Sequence, residues 1–309
     1  MNIALGINNI PESLPYPAVT IGNFDGVHKG HQVLLKKTCD IAEKNNGAAI
    51  AFTFEPHPLK IISPENCPPL LTSYAQKMKW MESNGIDLAI CADFNSDFAN
   101  QSPRNFAENI LCKKIGAREV VVGFDYAFGK GREGTISHLK EMGKEFNFIV
   151  HVIEPVKSNG HMVSSSSLRE MIGSGRVETA KELLGRNYSL QGAVIHGRKR
   201  GKELGFPTAN LKIEGQMAPA TGVYAVYASV DSQRKHAVAN VGYNPTFGSK
   251  QLNVEAHIFD FNEDIYGKSL EIEFVSRIRD EIKFSSVESL AEQIRKDIIK
   301  AKNLLENIS

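Results

Sequence analysis

The chain has 309 residues, of which 42% are hydrophobic and 23% are charged, and its 36 basic and 35 acidic residues leave a net charge of +1. These values are ordinary for a globular protein and exclude the collagen-like and disordered classes. The length predicts two domains. A charge so close to zero argues against nucleic acid or an anionic membrane as the partner.

The four cysteines, Cys39, Cys67, Cys91 and Cys112, are widely spaced and contain no CxxC pair, which predicts reduced thiols rather than a disulfide framework. The N-terminal residues lack the basic and long apolar regions of a signal peptide. No apolar run approaches the roughly 18 residues that a membrane helix needs. We therefore expect a cytoplasmic protein with no membrane partner.

From residue 18 to about 156, short apolar runs alternate with amphipathic segments. The apolar runs predict five strands: Val19–Phe24, Ala48–Phe54, Leu88–Phe94, Val120–Phe124 and Phe148–Val152. The first helix is predicted to bury one face, made of Leu34, Leu35, Thr38, Ile41 and Ala42. A later helix is predicted to begin at Ser102 and Pro103. Strand–helix alternation predicts a Rossmann-like α/β domain with a parallel sheet.

After residue 187 the pattern changes to short strands with Gly, Pro and Asn between them. The strands are predicted near residues 189–196, 222–230, 236–243, 252–261 and 269–278, which favours a sandwich or small barrel. Ser285 and Glu288 form a capping-box pattern at the start of a long helix. Its apolar stripe is Val287, Leu290, Ala291, Ile294, Ile298, Ala301 and Leu305. We place the domain boundary after Arg186, giving domains 1–186 and 187–309.

The strongest local signal is GNFDGVHKGH at residues 22–31, where a predicted strand leads into a helix. Gly22 and Gly26 allow the backbone to approach a ligand closely, and a helix N-terminus favours phosphate. His28 and His31 are three residues apart, so both imidazoles face one side of the first turn. They are suited to donate hydrogen bonds to a phosphate in its transition state. Metal binding and a structural role are the less favoured alternatives.

These residues resemble the HxGH signature of nucleotidyltransferases. Together with TFEPHP at 53–58, VVGFDYAFGKGREG at 121–134 and SSSSLR at 164–169, they look like the adenylyltransferase module of bacterial FAD synthetases, whose acceptor is FMN. The resemblance implies that His28 and His31 contact the ATP phosphates. It implies further ATP contacts from Gly22, Asn23, Phe24, Asp25, Gly26, Ser164, Ser165, Ser166 and Arg169, the serine run being a flexible segment. It implies a flavin side made of His57, Asp125, Phe128 and Gly129.

Residues 196–211, HGRKRGKELGFPTANL, allow two interpretations. The basic cluster 198–202 is typical of a nucleic-acid patch, whereas Gly197, Gly201 and Gly205 are typical of a loop that wraps a polyphosphate. The neutral net charge favours the second. Because Pro207 biases the chain to an extended conformation, Thr208 and Asn210 are expected on one face. Their hydroxyl and amide oxygens suit Mg²⁺.

Glu255 lies in a strand whose apolar face is Leu252, Val254, Ala256 and Ile258. Strict alternation places the Glu255 carboxylate on the opposite face, alongside His257. Alternation leaves two roles open: an exposed surface carboxylate, or a general base that accepts a hydroxyl proton.

The second half also resembles riboflavin kinase, through GKELGFPTANL, PATGVYA at 219–225, NVGYNPTF at 240–247, VEAHIFDF at 254–261 and RIRDEIKF at 277–284. The resemblance implies a six-stranded barrel with a C-terminal helix. It implies that Thr208 and Asn210 bind magnesium-ATP, that Glu255 activates the riboflavin hydroxyl and that Arg279 lies near the flavin. Further ATP contacts would come from Gly197, Gly201, Lys202, Gly205 and Pro207.

Both resemblances together imply a bifunctional enzyme that uses ATP and Mg²⁺ to convert riboflavin to FMN and FMN to FAD. Its partners would be these small molecules, with no nucleic acid, and the chain would be a monomer or weak homo-oligomer. One alternative is an enzyme with one inactive site, since Ala127 and Lys202 stand where the family commonly has arginine. The other is a non-enzymatic flavin- or RNA-binding regulator that uses the basic cluster 198–202.

Overall fold

The structure, a computed structural model, describes residues 1–197, 205–231, 233–246 and 249–307, with the backbone alone at 244–246 and 249–251. Packing divides the chain into two compact units, Met1–Pro68 with Tyr74–Val163, and Pro69–Ser73 with Ser164–Ser309. Residues 164–186 pack with the second unit, although the predicted domain boundary places them in the first. The predicted boundary after Arg186 concerns function and stays a prediction.

The first unit is built on a parallel sheet, which confirms the predicted α/β fold. In the described residues it has six strands: β1 (Asn2–Leu5), β2 (Ala18–Ile21), β3 (Ala49–Glu55), β4 (Leu88–Asp93), β5 (Glu119–Gly123) and β6 (Ile149–Ile153). Their order is β1-β4-β3-β2-β5-β6. Strand β1 was not predicted, because Ile3 and Leu5 are 45% and 62% exposed at the sheet edge and only Ala4 is buried.

Helices cover both faces of this sheet. They are α1 (Lys29–Lys44), α2 (Pro58–Ile62), α3 (Tyr74–Ser83), α4 (Ser96–Ala99), α5 (Pro103–Asn105) and α6 (Ile136–Phe146). Helix α5 begins at the predicted Ser102 cap and continues as a π-helix, Phe106–Ile115. Short 3₁₀ turns lie at Pro64–Asn66 and Lys130–Arg132, and β7 (Lys157–Ser158) pairs with β8 (His161–Met162).

Two apolar clusters form the core of the first unit, one on each face of the sheet. One face packs strand residues such as Ile50 and Val120 against the π-helix, through Phe106 and Ile110. The other packs Ala49 and Val121 against α1 and α3. All five residues predicted for the inner face of α1 are buried. Burial on both faces explains why the strands are continuous apolar runs in the sequence.

The second unit contains a closed antiparallel barrel, which confirms the predicted all-β part. Helices α7 (Ser165–Gly173) and α8 (Val177–Leu184) precede it. The described barrel strands are β9 (Tyr188–Ile195), β10 (Ala209–Lys212), β11 (Gly222–Val230), β12 (Gln233–Thr246), β13 (Ser249–Ile258) and β14 (Ser269–Arg279). They close in the order β10-β13-β12-β11-β14-β9. The short β10 was foreseen only as an extended segment after Pro207.

The C-terminal helix α9 (Val287–Glu306) packs on the outer face of the barrel, as predicted. Ala301 and Leu305 are fully buried there, against residues that include Val223 and Val238. The predicted cap was wrong by one residue. Ser286, not Ser285, accepts from the backbone N–H of Ser289, which caps in return. Because Ser285 and Ser286 are adjacent, either could be the N-cap on the sequence pattern alone. Val287, 60% exposed, lies off the packed face.

Candidate active sites

The loop that follows β2 has an unusual backbone. Phe24 and Val27 have φ angles of +51° and +37°, and Gly26, between them, has +87°. Positive φ is uncommon for a large or β-branched residue and costs energy that the surrounding packing must supply. Phe24 and Val27 are both fully buried, which provides that packing. Such strained residues cluster at functional sites.

His28 and His31 stack at the start of α1, with ring centroids 3.7 Å apart and planes 14° from parallel. His28 is the N-cap: its Nδ1 accepts from the backbone N–H of His31 at 3.2 Å. An accepting Nδ1 leaves the proton of the neutral ring on Nε2. Gly30 accommodates the pair, since a Cβ there would lie 3.1 Å from the His28 ring. The imidazoles therefore share one side of the first turn.

The other residues of this loop divide by exposure. Asn23 is exposed and Gly22 is half-buried, whereas the Asp25 side chain is 5% exposed. The fully buried Phe24 side chain lies edge-on to His31, with ring centroids 5.2 Å apart. Phe24 was predicted as an ATP contact. The whole residue is buried in the described structure and its ring packs in the core beside α1, and its role as an ATP contact stays a prediction.

The residues predicted for the flavin side follow β3 and β5. His57 caps α2, its Nδ1 accepting from the N–H of Leu59 at 3.2 Å. Asp125 is exposed, and Phe128 is 7% exposed within the core. Gly129 has φ +73°, and a Cβ there would lie 2.7 Å from Pro103. Their roles as flavin contacts stay predictions.

The strand order gives these loops a common location. From β2 the chain moves through β3 to β4 on one side, and then returns to place β5 on the other side of β2. In open parallel sheets, ligands bind at the carboxyl ends of the strands where the order reverses in this way. The loops after β2, β3 and β5 lie at that edge, on adjacent strands.

The serine run lies in the second unit and begins a helix. Ser164 is the N-cap of α7, and its hydroxyl accepts from the N–H of Ser167 at 3.1 Å. Ser165 and Ser166 form the first turn, so the segment that the resemblance describes as flexible is helical here. The Arg169 Nε donates to the carbonyl of Pro69 at 3.0 Å. A helix N-terminus with hydroxyls suits a phosphate.

On the outer face of the barrel, Glu255 lies beside Thr208 and opposite Asn210, the two residues predicted to bind magnesium-ATP. Thr208 Oγ1 lies 3.4 Å from one carboxylate oxygen, and the Asn253 amide donates to the other at 2.5 Å. Asn210 on β10 is directly opposite Glu255 on β13, and Asn240 is opposite it on β12. Val254 and Ala256, on the other face, are fully buried. The predicted alternation is confirmed.

The segment before β10 is held close to these residues. A Cβ at Gly197 would overlap the amide of Asn210, and Gly205 has φ +83°. The His257 Nδ1 lies 2.8 Å from the carbonyl oxygen of Pro207, a contact in which the imidazole donates. Gly201, Lys202 and the rest of the basic cluster 198–202 lie outside the described residues.

Arg279 holds α9 to the barrel. Its Nε lies 3.0 Å from both carboxylate oxygens of Asp297, its Nη2 lies 2.7 Å from one of them, and the Asp297 side chain is 5% exposed. The Gln293 amide donates to the same carboxylate at 2.9 Å. In this structure the guanidinium of Arg279 is bound to the Asp297 carboxylate, and its predicted contact with the flavin stays a prediction.

The comparisons with known proteins cover both units. The family model described as FAD synthetase matches residues 11–167, and the one described as riboflavin kinase matches residues 184–305. A Buchnera aphidicola (subsp. Schizaphis graminum) protein named bifunctional riboflavin kinase/FMN adenylyltransferase is 38% identical over 302 residues, covering 96% of this chain and 97% of that one. The chain belongs to the bifunctional riboflavin kinase/FMN adenylyltransferase family.

Other members of the riboflavin kinase/FMN adenylyltransferase family agree over nearly the full length. The Escherichia coli K12 protein of the same name is 33% identical, covering 98% of this chain and 97% of its own. A crystal structure described as a macrolide-efflux protein from Streptococcus pneumoniae matches with a TM-score of 0.88 at 33% identity, over 98% of this chain and 99% of that one. In the described part of this chain, no helix is both long enough and apolar enough to span a bilayer.

Several residues beside the predicted site residues carried no signal that was used in the sequence. Asn253 is two residues before Glu255, so the same alternation that found Glu255 places Asn253 on its face. Asp297 stands at an inner position of the apolar stripe of α9, where an acidic residue predicts a buried ion pair. Lys77 in α3 belongs to none of the motifs, and only the folded structure shows that it contacts the end of β3.

Proposed function

We propose that the chain performs the two reactions of its family with the residues described above. Riboflavin kinase activity transfers the γ-phosphoryl group of ATP to riboflavin and yields FMN and ADP. FMN adenylyltransferase activity transfers AMP from a second ATP to FMN and yields FAD and pyrophosphate. The contact of Thr208 with Glu255 on the outer face of the barrel, opposite Asn210, carries the kinase assignment.

In the kinase reaction, Glu255 is the general base. The 5′-hydroxyl oxygen of riboflavin attacks the γ-phosphorus as its proton passes to the Glu255 carboxylate, and the bond to the bridging oxygen of ADP breaks. Asn253 holds one carboxylate oxygen by its hydrogen bond, which orients the other toward the hydroxyl. A positioned base accelerates such a transfer by about 10²–10⁴-fold.

The residues of the barrel fit a magnesium ion. Thr208 and Asn210 offer a hydroxyl and an amide oxygen beside the Glu255 carboxylate, and the Asn210 side chain is held in place beneath Gly197. These are hard oxygen donors of the type that Mg²⁺ prefers, and its other positions are commonly taken by water and phosphate. Bound Mg²⁺ neutralises charge on the triphosphate. Thr208 and Asn210 would hold it.

In the adenylyl transfer, an oxygen of the FMN phosphate attacks the α-phosphorus of ATP and pyrophosphate leaves. The phosphate nucleophile is already ionised, so no protein base is needed to remove a proton. The Nε2–H of His28 and the stacked ring of His31 provide donors for the charge that develops on the phosphate oxygens. The backbone amides at the start of α1 add a positive partial charge.

We extend the proposal to the setting in which the enzyme works. With a net charge of +1, the chain has no strong field to hold a nucleic acid, so its partners are small molecules. We propose a cytoplasmic enzyme that is a monomer or weak homo-oligomer. Sedimentation at several protein concentrations tests the oligomeric state.

A time course with riboflavin, ATP and Mg²⁺ tests the two activities together. FMN should appear first and FAD should follow, because the second reaction consumes the product of the first. FMN without FAD, or FAD only from added FMN, would show that one of the two sites is inactive. Neither product, combined with salt-sensitive binding of RNA, would favour the regulator alternative instead.

A further inference from the structure

A buried cation, Lys77, lies at the carboxyl end of β3, next to the loop that follows β2. Lys77 is on the inward face of α3, and its residue is only 8% exposed. Its ammonium nitrogen lies 3.2 Å from the carbonyl oxygen of Phe54, 3.4 Å from Thr53 Oγ1 and 3.7 Å from a carboxylate oxygen of Glu55. All three partners belong to the carboxyl end of β3, the edge at which the ligand loops lie.

The contacts of Lys77 continue into the loop after β2. Thr53, which is fully buried, donates its hydroxyl hydrogen to the carbonyl oxygen of Asn23 at 3.3 Å. A chain of polar contacts therefore runs from the Lys77 ammonium through Thr53 to Asn23. It reaches the loop whose backbone has positive φ at Phe24 and Val27, immediately before His28.

The charges around Lys77 point to an electrostatic role as well. Burial lowers the pKa of the Lys77 ammonium, and the carboxylates of Glu55 and Asp25 oppose that shift by favouring the charged form. Asp25 is itself 5% exposed and lies in the loop predicted to contact ATP. The Glu55 side chain is 43% exposed, so its ion pair with the buried Lys77 is open to water on one side, and partly exposed pairs contribute little to stability. Packing alone therefore does not explain a lysine here.

We propose that Lys77 is a positioning residue for FMN adenylyl transfer. It holds the carboxyl end of β3 and, through Thr53, the loop at Asn23. Its positive charge offsets the Asp25 and Glu55 carboxylates, which would otherwise repel the phosphates of both substrates. This role rests on the proposed adenylyltransferase function of the first unit.

The test compares Lys77→Met, which keeps most of the length of the side chain without its charge, with Lys77→Arg, which keeps the charge. Lys79→Met is the matched control, since Lys79 is exposed on the same helix, 5.3 Å from the Trp80 ring centroid. Initial rates of FAD formation from FMN and ATP give kcat and KM for each variant. Riboflavin phosphorylation and thermal unfolding are measured on the same preparations.

We expect Lys77→Met to lower kcat/KM for FAD formation by roughly 10- to 100-fold, the scale of a misplaced site. Lys77→Arg should recover much of it, and Lys79→Met and the kinase rates should stay unchanged. If Lys77→Met does not fold, Thr53→Val, which breaks the link to Asn23 with little change in shape, should lower the same kcat/KM. Unchanged kinetics per folded enzyme, with only a lower Tm, would overturn the proposal. An unmodified chain that forms no FAD would instead overturn the proposed function.

Discussion

Replacing Glu255 by Gln removes the proposed base of the kinase while keeping the shape of the side chain. The amide oxygen of Gln can still accept from Asn253, and the Thr208 hydroxyl can rotate to accept from the new NH₂ group. Two hydrogen bonds to a charged acceptor become neutral ones, so the barrel should lose only about 1–2 kcal/mol. The kinase barrier should rise by about 3–5 kcal/mol, which corresponds to a loss of roughly 10²–10⁴-fold in kcat.

The assay follows FMN formation from riboflavin at saturating ATP and Mg²⁺. FAD formation from added FMN, in the same preparation, verifies that the rest of the chain is intact. Glu273→Gln is the matched control, because Glu273 is a barrel carboxylate that accepts from Arg234 at 3.0 and 2.9 Å. The control should keep its kinase rate. A Glu255→Gln kcat within threefold of the unmodified chain would show that this carboxylate is not the base.

The remaining predictions concern the other site, the metal and the C-terminal helix. His28→Asn combined with His31→Asn keeps an N-cap and should reduce FAD formation at least about 10²-fold while FMN formation continues; equal loss of both activities would contradict separate sites. Thr208→Val should raise the Mg²⁺ needed for half-maximal kinase rate roughly tenfold, and an identical Mg²⁺ curve would exclude Thr208 as a ligand. Asp297→Ala leaves Arg279 without its carboxylate and should cost about 3–5 kcal/mol in urea unfolding; a loss below about 1 kcal/mol would be typical of an exposed pair.

Sequence reasoning succeeded where a local pattern reflects burial. The buried strands of the first unit are continuous apolar runs, and the inner face of α1 recurs at helical spacing, so both were placed correctly. It failed for β1, whose exposed Ile3 and Leu5 lie at the edge of the sheet. It also missed by one residue the cap of α9, because Ser285 and Ser286 satisfy the same local rule.

For the candidate site residues, too, local motifs were predicted from the sequence, whereas contacts between distant segments were not. Motifs such as GNFDGVHKGH and GFPTANL, which are contiguous in sequence, identified both loops and the family to which the chain belongs. The contact of Thr208 with Glu255, 47 positions apart in the chain, depends on the pairing of β10 with β13. The burial of Phe24, predicted as a nucleotide contact, likewise follows from packing beneath the loop.

The residue order established the class of each half and the alternation that turns Glu255 away from the core, and it predicts which loops approach phosphate. These are properties of neighbouring residues, because exposure and backbone preference repeat along the chain with the period of a helix or strand. The joining of Lys77 to Thr53 and Asn23, and of Arg279 to Asp297, required the folded chain. Buried charges are stable only beside partners that folding brings from distant segments, so local spacing can place a charge such as Asp297 on an inner face but cannot identify its partner.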